Sequence, residues 1–273
     1  MSAIPPSHQR SSIQPPTGLP FDEQQPAAIR LYPLSNYTFG VKETQPEEDP
    51  SVKDRLRRLE EHYEQYGMRR TCEGILVCHE HNHPHVLMLQ IANAFFKLPG
   101  DYLSHDADEI SGFKKILTAK LSPPSSSSLS SRDSLESADW NISHNLSTWW
   151  RPNFETFMYP YLPPHTTRPK EQKKLYFIQL PETKVLSVPK NMKLLAVPLF
   201  ELYDNSQRYG PQLSAIPHYL SRFRWEFVDE GGEVVAWTPG GKVDERVRTK
   251  VLVNGESDGD GEIKMEVEVK MEG

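Results

Sequence analysis

The sequence GMRRTCEG at residues 67–74, followed by FFKLPG at residues 95–100, decides the fold of this chain of 273 residues. Gly67 stands where a preceding amphipathic helix must end. Residues 72–77 and 86–91 have the composition of two strands joined by a polar hairpin. A helix that leads directly into a strand hairpin predicts a domain in which helices pack on a sheet.

The clearest predicted helix spans residues 51–66, where one apolar stripe recurs at spacings of four and three: Val52, Leu56, Leu59, Tyr63 and Tyr66. Ser51 is the expected N-cap and Gly67 the expected stop. Arg55 lies at the edge of the stripe, so its side chain can reach across the surface on which the stripe packs.

Further helices are predicted at residues 110–121 and 211–223, and further strands at residues 175–180 and 194–197. Strands interleaved with helices indicate an α/β sandwich with a mixed sheet. The ordered domain is expected to span residues 31–228.

Three other segments are not expected to fold, the first two because they are poor in large aliphatic residues. Residues 1–30 predict a disordered N-terminal arm, and residues 121–138 a Ser- and Pro-rich insertion. Residues 229–273 predict a flexible acidic extension, because they are interrupted by glycines and the last twenty residues hold seven acidic against two basic side chains. A lone edge strand at residues 263–271, where apolar and charged residues alternate, is the alternative for the end of this segment.

The overall net charge of −6 hides a basic region, since residues 145–228 contain eleven Lys or Arg against six Asp or Glu. An RNA-binding surface is therefore compatible with the acidic total. Cys72 and Cys78 fall at even spacing in one strand, which favours two buried thiols over a disulfide. The chain has no apolar run of about 18 residues and no signal-peptide pattern, so we expect a soluble intracellular protein.

Phe95 and Phe96 are consecutive, so in an extended segment their side chains face opposite ways. One ring is expected in the core, and the other is a candidate platform for an unstacked base. Packing of both rings in the core is the alternative. Glu47, Arg55 and Glu73 are the groups expected to hydrogen-bond base edges beside the platform.

Two clusters contain residue types that bind metal ions. Four histidines alternate along the hairpin predicted at residues 80–84: His79, His81, His83 and His85. Asn82 and Pro84 should interrupt the strand there, so a solvated hairpin is favoured over a zinc site. Asp106, Asp108 and Glu109 form an acidic cluster that predicts at most a weak cation site.

Residues 149–165 are aromatic and rich in proline, which is too apolar for an ordinary loop. They either wrap over the core or form a surface for a second copy or another partner.

From Gly100 onwards the chain resembles the Nudix signature G-x5-E-x7-R-E-U-x-E-E-x-G-U, in which U is a bulky aliphatic residue and the carboxylates hold divalent metal against a pyrophosphate. Asp106 matches the first acidic position. Residues 114–121, however, read KKILTAKL where the family has Arg-Glu-U-x-Glu-Glu-x-Gly. The resemblance therefore implies a Nudix-type α/β/α sandwich without catalytic residues, metal or cofactor. A Nudix hydrolase of dinucleoside polyphosphates remains the alternative.

Residues 31–223 closely resemble the small-subunit family of pre-mRNA cleavage factor I, also called the cleavage and polyadenylation specificity factor subunit 5 family. The resemblance rests on five blocks in order: residues 31–40, 67–74, 95–100, 149–154 and 198–205. It implies a nuclear homodimer that recognises UGUA elements in pre-mRNA. It also implies a larger cleavage factor I subunit with an RNA-recognition domain, and other polyadenylation factors, as partners.

Carried over position by position, the resemblance implies these RNA-binding residues: Glu47, Arg55, Glu73, Ala94, Phe95, Phe96, Leu98, Tyr209 and Gly210. Ala94 stands where relatives usually have threonine, so a hydroxyl contact is expected to be lost. An assembly scaffold without RNA contacts of its own is a third class of function that the sequence leaves open.

Overall fold

The computed structural model describes residues 28–46, 49, 51–92, 95–124 and 139–238. Their strands, in chain order, are β1 Ile29–Leu31, β2 Tyr37–Lys42, β3 Arg69–Glu80, β4 His83–Ile91, β5 Phe95–Lys97, β6 Gly100–Tyr102, β7 Asn141–Arg151, β8 Glu171–Gln179, β9 Lys184–Pro189, β10 Met192–Pro198, β11 Trp225–Val228 and β12 Val234–Trp237. Their α-helices are α1 Val52–Tyr66, α2 Glu109–Leu121, α3 Leu199–Leu202, α4 Ser206–Ser214 and α5 Ile216–Leu220. Residues 1–27 of the predicted arm, the insertion from residue 125 and the chain from residue 239 lie outside the described residues. The predicted disorder is wrong for Ile29 and Arg30, which pair with Trp225 and Glu226 of β11.

Helix α1 begins and ends where the sequence predicts. The Ser51 hydroxyl accepts a hydrogen bond of 3.1 Å from the backbone N–H of Asp54. At the other end Gly67 has a φ of 76°, and its N–H donates to the carbonyl oxygen of Tyr63 at 2.8 Å. A residue without a Cβ atom is favoured in that left-handed conformation.

Strand β3 is the axis of the largest sheet, whose order is β10-β4-β3-β8-β7, with β5 added to β4 and β6 to β3. It pairs antiparallel with β4 and parallel with β8, so the predicted mixed sheet is confirmed. Alternate residues of β3 point to opposite faces. Ile75 and Val77 enter one hydrophobic core, and Leu76 and Cys78 enter another.

Helices cover both faces of this sheet. Phe113 and Leu117 of α2 are fully buried in the core that contains Cys78. Leu213 of α4 and Ile216 of α5 are buried in the core on the opposite face. This arrangement confirms the α/β/α sandwich. The helix predicted at residues 211–223 is in fact two short helices. Helix α4 begins earlier, at Ser206, and ends at Ser214, and α5 begins at Ile216.

Two smaller sheets complete the domain, with orders β1-β11-β12 and β2-β9. Strand β12 lies in the segment that the sequence assigned to a flexible extension. That assignment is wrong for Val234–Trp237, because Ala236 and Trp237 pair with Phe227 and Glu226 of β11. The sequence did not predict this strand because four residues are too few to show a clear alternation of apolar and polar side chains.

The β3–β4 hairpin is tighter than predicted. Its turn consists of His81 and Asn82, which have φ values of 50° and 58°. Pro84 lies within β4, just beyond the last pair that β4 makes with β10. His79 and His85 are 4% and 9% exposed. The predicted solvated hairpin is therefore wrong for these two histidines.

Both cysteines are buried, as the sequence predicts. Burial raises the pKa of the Cys72 and Cys78 thiols to about 12, so both are protonated at neutral pH. Trp140, which is 1% exposed, joins the end of α2 to the start of β7. Its indole N–H donates to the Thr118 hydroxyl at 3.0 Å. No helix of the described residues is long and apolar enough to span a membrane.

Candidate functional site

A cavity of about 500 Å³ opens between the large sheet and helix α4. Five of the nine residues that the sequence singled out line it: Glu73, Phe96, Leu98, Tyr209 and Gly210. They come from β3, β5, the turn after β5 and α4. The fold therefore gathers residues up to 137 positions apart in the chain, from Glu73 to Gly210, into one concave surface.

Glu73 is the carboxylate of this cavity, and its side chain is 12% exposed. One oxygen, Oε1, accepts a hydrogen bond of 2.7 Å from Lys173 Nζ. The other, Oε2, accepts one of 2.8 Å from Gln212 Nε2. Each carboxylate oxygen has two lone pairs, so both can still accept from a ligand N–H. The carboxylate is thereby held in a fixed position before any ligand arrives.

The two consecutive phenylalanines face opposite ways, as predicted. Phe95 is 71% exposed, whereas Phe96 packs against the core beside the cavity. The ring centroids of Phe96 and Tyr209 lie 4.8 Å apart. The guanidinium of Arg208 stands 5.7 Å from the centroid of Phe96. Phe95 thus offers an exposed ring, and it is not among the residues that line the cavity as the structure describes it.

Tyr209 is held by its hydroxyl, which donates to Glu201 Oε1 at 2.5 Å. Burial, followed by this hydrogen bond, raises the pKa of Tyr209 to about 12. Gly210 follows with a φ of 79°, a backbone conformation that interrupts α4 at the cavity wall. Leu98 is 1% exposed and forms part of the cavity floor.

Arg55 is exposed on the first turns of α1 and does not line this cavity as the structure describes it. Its positive charge acts on Asp49, whose carboxylate is bound by both Arg58 Nε at 2.8 Å and Arg58 Nη2 at 2.7 Å. These hydrogen bonds first, then the nearby guanidinium groups, lower the pKa of Asp49. Glu47 and Ala94 lie outside the described residues, so their predicted roles stay predictions.

The structure adds cavity residues that the sequence did not assign to the site: Lys97, Trp149, Arg151, Phe157, Lys173 and Gln212. Trp149 and Arg151 belong to the aromatic segment at residues 149–165, which has a buried part and an exposed part. Trp149 is 4% exposed in the core, whereas Phe157 is 71% exposed. Lys173 appeared only as one member of a basic region. Nothing in the local sequence points to Gln212.

A buried ion pair supports the wall of the cavity. Arg151 Nε donates to Glu171 Oε2 at 2.8 Å, and the Thr71 hydroxyl donates to Glu171 Oε1 at 2.7 Å. Burial alone would raise the pKa of Glu171. The charges of Arg151 and Lys173, together with the two hydrogen bonds, outweigh burial and lower it.

The three acidic residues around the start of α2 bind different partners. Asp108 caps the helix by accepting from the Ser111 N–H at 3.0 Å. Both oxygens of Glu109 accept from Lys174 Nζ at 2.8 Å. The Asp106 side chain is 98% exposed. Within the described residues, no three His, Cys, Asp or Glu side chains are grouped so that they can hold a metal ion.

Comparison with known proteins places the chain in a family. The profile of the NUDIX_2 family, described as nucleotide hydrolase, matches residues 27–223. The chain is 54% identical over 200 residues to pre-mRNA cleavage factor Im 25 kDa subunit 2 of Arabidopsis thaliana, which covers 73% of this chain and 96% of that protein. It is 44% identical over 202 residues to cleavage and polyadenylation specificity factor subunit 5 of Dictyostelium discoideum, and this alignment covers 74% of this chain and 96% of that protein. The chain therefore belongs to the Nudix-fold family of cleavage factor Im 25 kDa subunits, which includes cleavage and polyadenylation specificity factor subunit 5.

Proposed function

We propose that this protein is a sequence-specific RNA-binding subunit of the nuclear machinery that cleaves and polyadenylates pre-mRNA. The names of its relatives support a role in 3′-end processing. The cavity around Glu73 supports RNA binding, because a fixed carboxylate, clustered rings and lysines are the groups that hold single-stranded RNA. The observation that carries the proposal is that Glu73, Phe96 and Tyr209 line one cavity.

The chemistry of the cavity fits the element UGUA. Guanine presents two adjacent N–H donors on its Watson–Crick edge, and a carboxylate is an acceptor on both oxygens. Glu73 is held by Lys173 and Gln212 with lone pairs to spare. Phe95, with its exposed ring, supplies the stacking face that a neighbouring unpaired base needs. Reading by Glu73 and stacking by Phe95 are thus separate tasks.

We infer that the protein does not hydrolyse nucleotides. Four residues of α2 stand where the Nudix signature has its arginine and three glutamates: Lys114, Lys115, Thr118 and Ala119. None of them is a carboxylate, and Mg²⁺ in such sites needs carboxylate oxygens. Incubation with magnesium and a dinucleoside polyphosphate should give no product above a blank. Robust turnover would establish the hydrolase alternative instead.

The same proposal includes a homodimer and a larger subunit that carries an RNA-recognition domain. Four apolar side chains after β7 are exposed by 40% or more: Phe157, Tyr159, Tyr161 and Leu162. An exposed apolar patch of this kind is typical of an interface. Two copies would place two UGUA sites in one particle, so that one transcript binds with avidity. A stable monomer in light scattering at micromolar concentration would contradict the dimer.

The decisive experiment is a binding titration of the isolated chain against a UGUA RNA and a scrambled RNA of the same composition. Salt must be fixed, because phosphate contacts make every affinity depend on it. The proposal expects tighter binding of UGUA. Equal binding would reduce the protein to a general RNA binder, and no binding to either RNA would favour an assembly scaffold.

A further inference from the structure

A second and larger cavity, of about 940 Å³, lies between α1, the loop after β6 and α2. Four ring side chains line it: His62, Tyr66, Tyr102 and His105. The ring of Tyr66 lies 4.8 Å from that of His62 and 5.7 Å from that of His105. These four rings belong to neither hydrophobic core of the described residues, and Tyr66 is 48% exposed. The rings thus form a polar aromatic surface that opens to solvent.

Charged side chains lie on one side of this cavity, where three lysines stand near one another. Lys120 lines it and pairs with Asp101 at 2.7 Å. Two further lysines, Lys42 and Lys97, stand within electrostatic range of Lys120. Burial, followed by repulsion from Lys120, lowers the pKa of both. A bound anion would relieve this repulsion.

Lys97 lies within electrostatic range of residues of both cavities. This lysine lines the first cavity, where Glu73 and Lys173 act on its charge. Asp101 and Lys120, which line the second cavity, act on the same ammonium group. A chain of phosphates that leaves the Glu73 cavity past Lys97 therefore meets the charged side of the second cavity next.

We propose that the second cavity binds a nucleotide that flanks the four-base element on the same RNA strand. Its base stacks on the rings around Tyr66, and its phosphate lies toward Lys120. Stacking on rings accepts any base, because every base has a π-face. The cavity would therefore add affinity without adding sequence preference. This inference rests on the proposed recognition of RNA in the first cavity.

Fluorescence anisotropy with short RNAs tests the proposal. The tetranucleotide UGUA is compared with UGUA extended by four nucleotides on the 5′ side or on the 3′ side. In the wild-type protein, extension on one side should tighten binding by roughly 5- to 100-fold. Tyr66→Ala and His105→Ala should each remove most of that gain and leave the affinity for the tetranucleotide unchanged. Tyr66→Phe, which keeps the ring, should retain the gain.

Tyr203→Ala is the matched control, because Tyr203 is 58% exposed and lines neither cavity in the described structure. It should bind every RNA as the wild type does. Equal affinities for the tetranucleotide and both extended RNAs would overturn the inference, as would a gain that survives Tyr66→Ala and His105→Ala. If the proposed function is wrong, the result is different, because the protein would then bind the UGUA tetranucleotide no more tightly than a scrambled tetranucleotide.

A free nucleotide has the same chemistry as one in a strand, so adenosine monophosphate is titrated as well. The proposal expects it to bind weakly and to compete with the extension but not with the tetranucleotide. Tight, Tyr66-dependent binding of the free nucleotide without any gain from extension would assign the cavity to a small-molecule ligand and overturn the RNA assignment.

Discussion

Glu73 of β3 and Lys173 of β8 meet across neighbouring parallel strands, with a hydrogen bond of 2.7 Å from the ammonium to the carboxylate. Gln212 approaches the same carboxylate from α4 on the opposite side of the cavity. One acceptor is thus held by the sheet and by a helix together. Movement of this carboxylate would break at least one of these two hydrogen bonds unless the sheet or the helix moved with it.

Replacement of this acceptor tests base reading. Glu73→Gln keeps the size of the side chain but puts an N–H₂ group in place of one oxygen, which opposes the donors of guanine. We expect a loss of about 1.5 to 3 kcal/mol in binding of UGUA. The loss for scrambled RNA should be smaller. Titrations at fixed salt measure both, with exposed Glu182→Gln as the control. Equal losses on the two RNAs would show that Glu73 attracts or positions RNA without reading it.

Phe95→Ala tests the stacking platform. Because this ring is 71% exposed, its removal should leave the thermal unfolding midpoint unchanged. RNA affinity should fall by about 1 to 3 kcal/mol. Phe200 is 69% exposed and lies outside the described linings of both cavities, so Phe200→Ala is the control. If both variants bind RNA as the wild type does, Phe95 does not stack on a base.

Arg55→Ala tests whether Arg55 hydrogen-bonds a base edge of the RNA or only covers the apolar stripe of α1. A guanidinium that hydrogen-bonds a base edge should, when removed, narrow the affinity gap between UGUA and scrambled RNA. A guanidinium that only covers the stripe or pairs with a carboxylate should leave the gap intact. Lys114→Ala is the control, because Lys114 is an exposed cation paired with Asp139 at 3.2 Å on the face of α2. Loss of folding in Arg55→Ala would also speak against a reading role.

The Arg151–Glu171 pair predicts how stability depends on pH. Glu171 has a lowered pKa in the folded state, so its contribution is fully present above the value of about 4.3 of an unfolded glutamate. It is lost as the pH falls through the lower folded-state pKa. Glu171→Gln should cost on the order of 2 to 4 kcal/mol at neutral pH. Urea unfolding at several pH values should then show a smaller loss toward acid in the variant than in the wild type. Parallel pH profiles would contradict this assignment.

Local signals explain what the sequence predicts correctly. Helix α1 carries its own stripe, cap and stop, so its bounds follow from residues close in the chain. The opposite orientations of Phe95 and Phe96 follow from their adjacency alone. The sequence analysis did not predict strand β7. Its pairing with β8 shifts register between Ile142 and Asn145 and again between Asn145 and Ser147, which interrupts the regular alternation of buried and exposed residues.

The predicted site residues came from the family resemblance, and the cavity residues that it did not supply depend on tertiary contacts. Gln212 meets Glu73 across 139 positions, and no periodicity reports such a contact. Lys173 was visible as a charge, but its partner was not. The second cavity was missed for the same reason, since Tyr66 was assigned only to the apolar stripe of α1, whereas the structure leaves its ring 48% exposed.

The bond between Trp140 and Thr118 has a consequence for how this chain can change in length. The two residues fix the points at which the chain leaves α2 and enters β7, on either side of residues 125–138. For a flexible linker between fixed ends, doubling the number of linking residues costs only about 0.6 kcal/mol. Residues 121–138 are predicted to form such a linker, so this stretch is expected to vary in length at little cost in free energy of folding. For the same reason, it is the natural point at which to insert an affinity tag or a fluorescent label without replacing a residue of either cavity.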